Sequence, residues 1–326
     1  MPQLFDNYQR QIEYIRVSVT DQCDLRCFYC LPKGFKDFDT PEHWLTFDEI
    51  ERVIAAFGQL GVKRVRLTGG EPLIRKNIDA LASRLHQLDG IEDLSLSTNA
   101  TRLRKLAEPL YQAGIQRINV SLDTLRADRF KEISGGKLDK TLDGIVAASQ
   151  AGFSPIKLNM VVMRGINDDE IEDMVEFCIE HQLTLRMIET MPMGDTGRDA
   201  SDHYVDLQTV RKQLAQRYEL IPDVMPGGGP ARYVRVAGTD LRIGFITPLS
   251  QHFCDTCNRV RLAADGMLYM CLGQSHSVAL RPLLRNGISN DDLLETLREA
   301  VKLKPERHEF VEKPQQVVRF MSKTGG

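Results

Sequence analysis

The amino-acid sequence predicts an α/β chain: an open or wide barrel of six parallel strands, followed by a smaller region of mixed α+β character. Three observations carry this. Strand-like and helix-like stretches alternate from Ile15 to about Thr190, and strands joined by helical crossovers run parallel. Along each strand one face is apolar and the other polar, which suits a ligand-holding lumen better than a doubly wound sheet covered on both faces. Beyond Pro192 the pattern changes to shorter strands. A chain of 326 residues accommodates one barrel or two ordinary domains, and the division is expected at 1–195 and 196–326.

Element by element, Ile15–Thr20 reads as the first strand, and Thr46-x-x-Glu49 has the form of a capping box opening the first helix. The next strands are Arg64–Thr68, Asp93–Ser97, Arg117–Ser121, Ile156–Met163 and Thr184–Glu189. Helical patterns lie between them at Asn77–Leu88, Leu103–Gln112, Lys140–Ala151 and Asp168–His181, with Pro109 blurring one helix end. Val17, Val65, Leu67, Leu94, Ile118, Leu158 and their i+2 neighbours form the apolar face. The opposite face carries Arg16, Arg66, Ser95, Ser97, Asn119, Ser121, Lys157, Asn159 and Arg186. In the second region a helix is expected near Leu207–Tyr218, a turn-rich loop at Pro226–Pro230, a hairpin at Asp265-Gly266 and a last helix at Asp291–Lys302, before a tail from Lys313 to Gly326.

Composition narrows the function classes. With 42% hydrophobic and 27% charged residues and no apolar run near the ~18 a membrane helix needs, an ordinary globular protein without a membrane span is expected. The N-terminal stretch lacks the apolar core of a secretory signal, so a cytoplasmic protein is expected. A net charge of −3 gives no global footprint for nucleic acid. Seven cysteines in a reducing compartment argue for metal or redox work over disulfides. Six fall into two triplets, leaving Cys178 in a helical context as an inert buried thiol.

The first triplet, Cys23-x-x-x-Cys27-x-Tyr29-Cys30, follows the first strand at the end where α/β barrels place their chemistry. Three thiolates are one short of the four that usually hold an iron–sulfur cluster, so a four-iron cube here would keep one iron open. A structural zinc is a weak alternative, since the loop supplies no fourth ligand before His43. The second triplet is Cys254, Cys257 and Cys271, and here His252 or His276 could complete a Cys₃His zinc site. In Asn258-Arg259-Val260-Arg261, however, both guanidiniums share one strand face beside the metal. With Arg16, Arg66 and Lys157 they make five cations that could converge on a polyanion such as a triphosphate.

The Cys23–Cys30 loop resembles that of the radical S-adenosylmethionine (radical SAM) enzymes, with Tyr29 as the aromatic, and Thr68-Gly69-Gly70-Glu71-Pro72 looks like their glycine-rich motif. Over essentially the full chain the pattern resembles the molybdenum cofactor biosynthesis protein A family of GTP 3′,8-cyclases. The resemblance rests on both triplets, Arg259-Val260-Arg261, the segment from Arg186 through Met191 to Gly194, and the terminal Gly325-Gly326. It implies a partial (β/α)6 TIM-type barrel whose mouth is closed by the C-terminal region. It implies a [4Fe-4S] cluster on Cys23, Cys27 and Cys30, and a second on Cys254, Cys257 and Cys271 whose open iron meets guanine. S-adenosylmethionine would touch Tyr29, Gly70, Ser121 and Met191. GTP would touch Arg16, Arg66, Ser97, Lys157, Arg259, Val260 and Arg261, and Gly325 and Gly326 would reach the active site.

By the same resemblance, a 5′-deoxyadenosyl radical removes the ribose 3′ hydrogen, the carbon radical adds to guanine C8, and reduction gives (8S)-3′,8-cyclo-7,8-dihydro-GTP. A homodimer, an electron donor and a next-step pterin synthase are the implied partners. Ser97-Thr98 departs from the family's Thr-Thr, so either hydroxyl could make the substrate contact. Two other classes remain at this point: a peptide-modifying radical SAM enzyme with an auxiliary cluster, and a non-enzymatic electron carrier or zinc-stabilised binding protein.

Overall fold

The computed structural model describes residues 3–325 of the chain; Gly326 lies outside them. The barrel strands are β1 (Tyr14–Ser18), β2 (Arg64–Thr68), β3 (Asp93–Thr98), β4 (Arg117–Ser121), β5 (Ile156–Val161) and β6 (Thr184–Ile188). Each pairs in parallel with the next. The crossovers carry α1 (Phe47–Gln59), α2 (Ile78–His86), α3 (Leu103–Gln112), α4 (Ala127–Ser134), α5 (Leu138–Ala151) and α6 (Ile171–Glu180). The expected strands and helices are therefore present, with ends shifted by a few residues. Only α4 was not anticipated: its eight residues bury Phe130 and Ile133 alone among apolar side chains, too few to set a helical period.

Local chemistry explains the boundaries. Thr46 accepts the Glu49 N–H at 3.1 Å while the Glu49 carboxylate accepts the Thr46 N–H at 2.7 Å, a complete capping box on α1. Pro109 lies inside α3 rather than at its end, forgoing one backbone hydrogen bond. The apolar strand faces pack as expected: Val17, Val65, Leu67, Leu96, Val120, Leu158 and Met160 are wholly buried against the helices.

The C-terminal half was expected as a separate region closing the mouth, yet its strands extend the barrel sheet itself at both edges. After α7 (Gly194–Ala200) and α8 (Leu207–Leu214) come β7 (Leu220–Asp223), β8 (Arg232–Val236), β9 (Arg242–Ile246), β10 (Arg259–Leu262), β11 (Met267–Tyr269) and β12 (Ser277–Ala279). Then follow α9 (Leu280–Arg285), α10 (Asn290–Lys302) and the short α11 (Met321–Thr324) in the tail. Among the described residues the sheet runs β12-β11-β10-β1-β2-β3-β4-β5-β6-β9-β8-β7. Both β10 beside β1 and β9 beside β6 are parallel, so the parallel run is eight strands long. The hairpin at Asp265-Gly266 joins β10 to β11 as expected.

Register then decides what the lumen holds. Arg261, Arg16 and Arg66 stand side by side on β10, β1 and β2. Arg66 is followed in the same row by Ser95 on β3.

Candidate active site

Two cavities divide the lumen: the first lies at the carboxyl ends of these strands, and the second lies toward the amino-terminal ends of β1 and β10, where Tyr14 and Arg259 stand. The first holds Cys23, Cys27 and Cys30, on the loop after β1. That loop is pinned from outside by Arg26 N–H to Ser134 O (2.8 Å) and Phe28 N–H to Ile133 O (3.1 Å), so the unanticipated α4 sets its position. From inside it is held by the segment after β2, where Gly70 N–H donates to Thr20 O (2.8 Å) and Glu71 N–H to Gln22 O (2.7 Å). A Cβ on Gly70 would sit 2.2 Å from the Gln22 carbonyl oxygen and one on Gly69 2.5 Å from that of Thr20. The glycine pair is thus required by contact with the cysteine loop's own backbone, besides any approach to a ligand.

Burial pushes the Cys23 thiol up to about 12, with Glu71 adding to the shift, and Cys30 to about 12, with Asp123 adding. Cys27 is raised well above its ordinary value for the same reasons. Thiols held this way, without a neighbouring cation to ionise them, fit a positively charged metal centre that would supply the missing charge. Two acids line the same cavity. Glu71, pushed up to about 7 by burial, accepts from Leu73 N–H, Asn99 N–H and the Thr98 hydroxyl. Asp123, raised to about 6 by burial, accepts the Tyr29 hydroxyl at 2.7 Å and Val161 N–H at 2.9 Å.

The second cavity holds Cys254, Cys257 and Cys271, the first two beside β10 and the third after β11. Its charge logic is the reverse. Burial raises Cys257, but Lys304 and Arg259 outweigh it and bring the thiol down to about 7. Lys304 is buried, its ammonium donating to the carbonyls of Arg259 (2.9 Å) and Met270 (2.8 Å) and lying 3.5 Å from the Cys257 sulfur. Among the described residues, the group of His, Cys, Asp and Glu donor atoms lying within 4.8 Å of one another is His252, Cys254 and His308. Neither cysteine triplet forms such a group, although a single zinc with Zn–S of ~2.3 Å would draw its sulfurs that close. His276 does not join it.

Around this triplet stand the cations. Arg16, Arg66, Arg186, Arg259 and Arg261 line the second cavity, and Lys157 lines a third one beneath it that shares Tyr14, Arg66, Arg186 and Gly229 with the second. Burial, with Arg261 next, lowers Arg16 well below the usual guanidinium range. Burial lowers Arg261 to about 10, and burial together with Arg186 and Arg117 lowers Lys157 to about 7. The buried Nε atoms of Arg16 and Arg259 have no hydrogen-bond partner. So many crowded, partly unpaired cations fit a polyanion.

Of the other anticipated residues, Tyr29, Gly70, Ser121 and Met191 line the first cavity. Ser97 lines both cavities, whereas the Thr98 hydroxyl is engaged with Glu71 at 2.7 Å, which separates the two candidate hydroxyls. The Gly325 carbonyl accepts from Arg261 Nη1 at 2.8 Å, bringing the tail to the arginine row; Gly326 is outside the described residues. Val260 does not join its neighbours: its side chain is wholly buried in the core, on the opposite strand face. Cys178 is equally buried, in α6. Glu71, Asp123, Lys304 and Tyr14 were not anticipated as site residues. Glu71 and Asp123 follow directly on strand ends; Lys304 carries no local signal.

Comparison with known proteins adds the family. Residues 17–178 match the model of the radical SAM superfamily, and residues 183–310 that of Molybdenum Cofactor Synthesis C. GTP 3′,8-cyclase 1 of Pseudomonas aeruginosa is 48% identical over 100% of both chains. The GTP 3′,8-cyclase of Marinobacter nauticus is 45% identical, again over 100% of each. The chain belongs to the GTP 3′,8-cyclase family. It is thus a radical SAM enzyme of molybdenum cofactor biosynthesis, a lyase that uses S-adenosylmethionine and a [4Fe-4S] cluster. Among solved structures, SuiB of Streptococcus suis bound to S-adenosylmethionine shares the fold, with a TM-score of 0.64, 17% identity, and coverage of 96% of this chain and 77% of that one. No helix among the described residues is long and apolar enough to cross a membrane.

Proposed function

We propose that this enzyme converts GTP to (8S)-3′,8-cyclo-7,8-dihydroguanosine 5′-triphosphate, with S-adenosylmethionine in the first cavity and GTP in the second and third. The observation that carries the reading is that the first two cavities share a wall made by Ser97, Asn159, Ile188 and Met191. One molecule at each cysteine triplet would then meet its neighbour across that wall.

In this reading Cys23, Cys27 and Cys30 hold the [4Fe-4S] cluster that cleaves S-adenosylmethionine, and Cys254, Cys257 and Cys271 hold a second. When bound, the first cluster and S-adenosylmethionine supply the radical that takes the ribose 3′ hydrogen, and the second gives guanine an iron to bind. Everything else is positioning by the chain's own residues. Tyr29, Gly70, Ser121 and Met191 line the space for S-adenosylmethionine, and Asp123 fixes the Tyr29 hydroxyl. Arg16, Arg66, Arg186, Arg259 and Arg261 offer guanidiniums to the ribose and phosphates, and Lys157 waits where the terminal phosphates would reach the barrel floor. Val260 contributes through its backbone, since its side chain faces the core.

The tail folds Gly325 against Arg261 and Thr68, where an added Cβ would lie 2.3 Å from Thr68 Cγ2, so glycine suits a crowded cavity and the C-terminal region helps close the mouth. The remaining parts of the reading rest on the resemblance: units at 1–195 and 196–326, a cytoplasmic homodimer, an external electron donor, and a pterin synthase that takes the product. Light scattering on the purified chain tests the dimer.

Anaerobic incubation with GTP, S-adenosylmethionine and a reductant should consume GTP and release 5′-deoxyadenosine with the cyclised nucleotide. Equal turnover of other nucleotides without GTP would sink the reading. Arg259→Ala or Arg261→Ala should depress cyclisation at least tenfold, about 1.4 kcal/mol, more than it depresses uncoupled cleavage of S-adenosylmethionine. Equal loss of both points to misfolding instead.

A further inference from the structure

Beside the second triplet stands a buried hydrogen-bond donor that nothing in the reaction above employs. His308 follows α10 and is only 5% exposed. Its Nδ1 accepts a long hydrogen bond from the Phe310 N–H at 3.5 Å, and we assign the tautomer that matches it, with the imidazole proton on Nε2. That Nε2 is buried and has no hydrogen-bond partner among the described residues. The ring lines the same cavity as the three cysteines, and its ligand atom lies within 4.8 Å of the Cys254 sulfur and of the His252 ring. The backbone N–H of His308 is also directed at Cys254.

The ring is packed in place. It packs on His252 at 5.0 Å between centroids and on Phe310 at 4.6 Å. On the third side is the loop after Cys271, where an added Cβ on Gly273 would come within 2.7 Å of His308 Cβ. A buried N–H needs an acceptor; the Pro248 carbonyl faces the ring on one side, while Nε2 is left without a partner, and the acceptor chemistry on the cysteine side is sulfur carrying negative charge.

We infer that His308 Nε2–H donates to the sulfur of the second cluster, at Cys254 or the sulfide beside it, and that His252 braces the ring in that pose. This rests on the proposal that Cys254, Cys257 and Cys271 hold a [4Fe-4S] cluster. Hydrogen bonds to cluster sulfurs disperse the charge added on reduction and set the reduction potential. His308 is therefore a positioning and tuning residue that acts through the cluster, and its loss makes the second cluster harder to reduce.

The test is EPR-monitored potentiometry of both clusters in the anaerobically reconstituted full-length enzyme without GTP. Iron analysis comes first: about eight irons per chain upholds two clusters, whereas about four removes the second cluster and this inference with it. With eight present, His308→Ala should shift the second cluster to a more negative potential and leave the first unmoved. His308→Gln, which keeps an N–H, should recover part of the shift. His252 is exposed, so His252→Ala should fold and give a smaller shift in the same direction should His308→Ala load poorly. An unmoved second potential, or equal movement of both clusters, overturns the inference while leaving the cyclase reading intact. Unmoved potentials with weakened GTP binding would overturn it as well, giving the N–H to the base.

Discussion

Lys157 is a lysine with almost no carboxylate for company. Burial first, then Arg186, Arg117 and Arg66, bring it from 10.5 to about 7, with only Asp93 opposing. A triphosphate would restore the ordinary ammonium, so binding takes up a proton above about pH 7. The sign follows: affinity for GTP is full below the free pKa of about 7 and falls as pH rises above it, until the bound form also deprotonates. Without ligand, the unfolded chain binds the extra proton between about 7 and 10.5, so through this residue stability rises with pH in that window. Calorimetry in two buffers of different ionisation heat should detect the uptake, and Lys157→Met should abolish it while weakening binding about tenfold, ~1.4 kcal/mol. A pH-independent affinity would exclude Lys157 from the phosphate site. Lys157 was legible in the sequence because strand alternation put it on the polar face with Arg16 and Arg66. Lys304 was not: Lys302-Leu303-Lys304-Pro305 reads as a solvent-facing helix end, and only the fold brings its ammonium under Cys257 and the Met270 carbonyl.

At the scale of elements, legibility followed the range of the interactions. Strands β2 and β4 and helix α3 stand where local periodicity put them, since alternation and capping are written within a dozen residues. The pairing of β10 with β1 and of β9 with β6 joins segments far apart in the chain, and no local pattern encodes it. The same holds for the tail, whose carbonyl at Gly325 reaches Arg261. Two substitutions separate ordinary element stability from site architecture. Thr46→Ala removes the α1 cap, which lines neither cavity, and should cost about 1 kcal/mol in thermal unfolding with turnover unchanged. Gly70→Ala sets a methyl 2.2 Å from the Gln22 carbonyl oxygen, and backbone cannot yield as a side chain would. It should cost about 3 kcal/mol or more and displace the Cys23–Cys30 loop, so that the first cluster loads poorly even where the chain still folds. Full iron content and wild-type stability in Gly70→Ala would refute the packing role assigned to that glycine.

For the molecule as a whole, the eight-stranded parallel run, to which both halves of the chain contribute, sets both cysteine triplets on one frame. Because β10 lies directly beside β1, the Cys254–Cys257 turn and the Cys23–Cys30 loop are held at opposite ends of the same pair of strands. The lumen between them is fixed by backbone hydrogen bonds, which suits a reaction whose barrier is lowered by holding two atoms in reach. The wall of Ser97, Asn159, Ile188 and Met191 is then the place where the two halves of the chemistry communicate. Ser97 is its smallest member, on β3 in register with Asn119 of β4. Ser97→Leu should fill the wall from both sides, keeping each cavity's cysteines untouched while pushing the two ligands apart. Cleavage of S-adenosylmethionine should persist within a fewfold of wild type, while the yield of cyclised nucleotide per 5′-deoxyadenosine falls at least tenfold, ~1.4 kcal/mol of lost positioning. If both products fall together, the wall supports the fold rather than the transfer; if neither falls, the two ligands do not meet there.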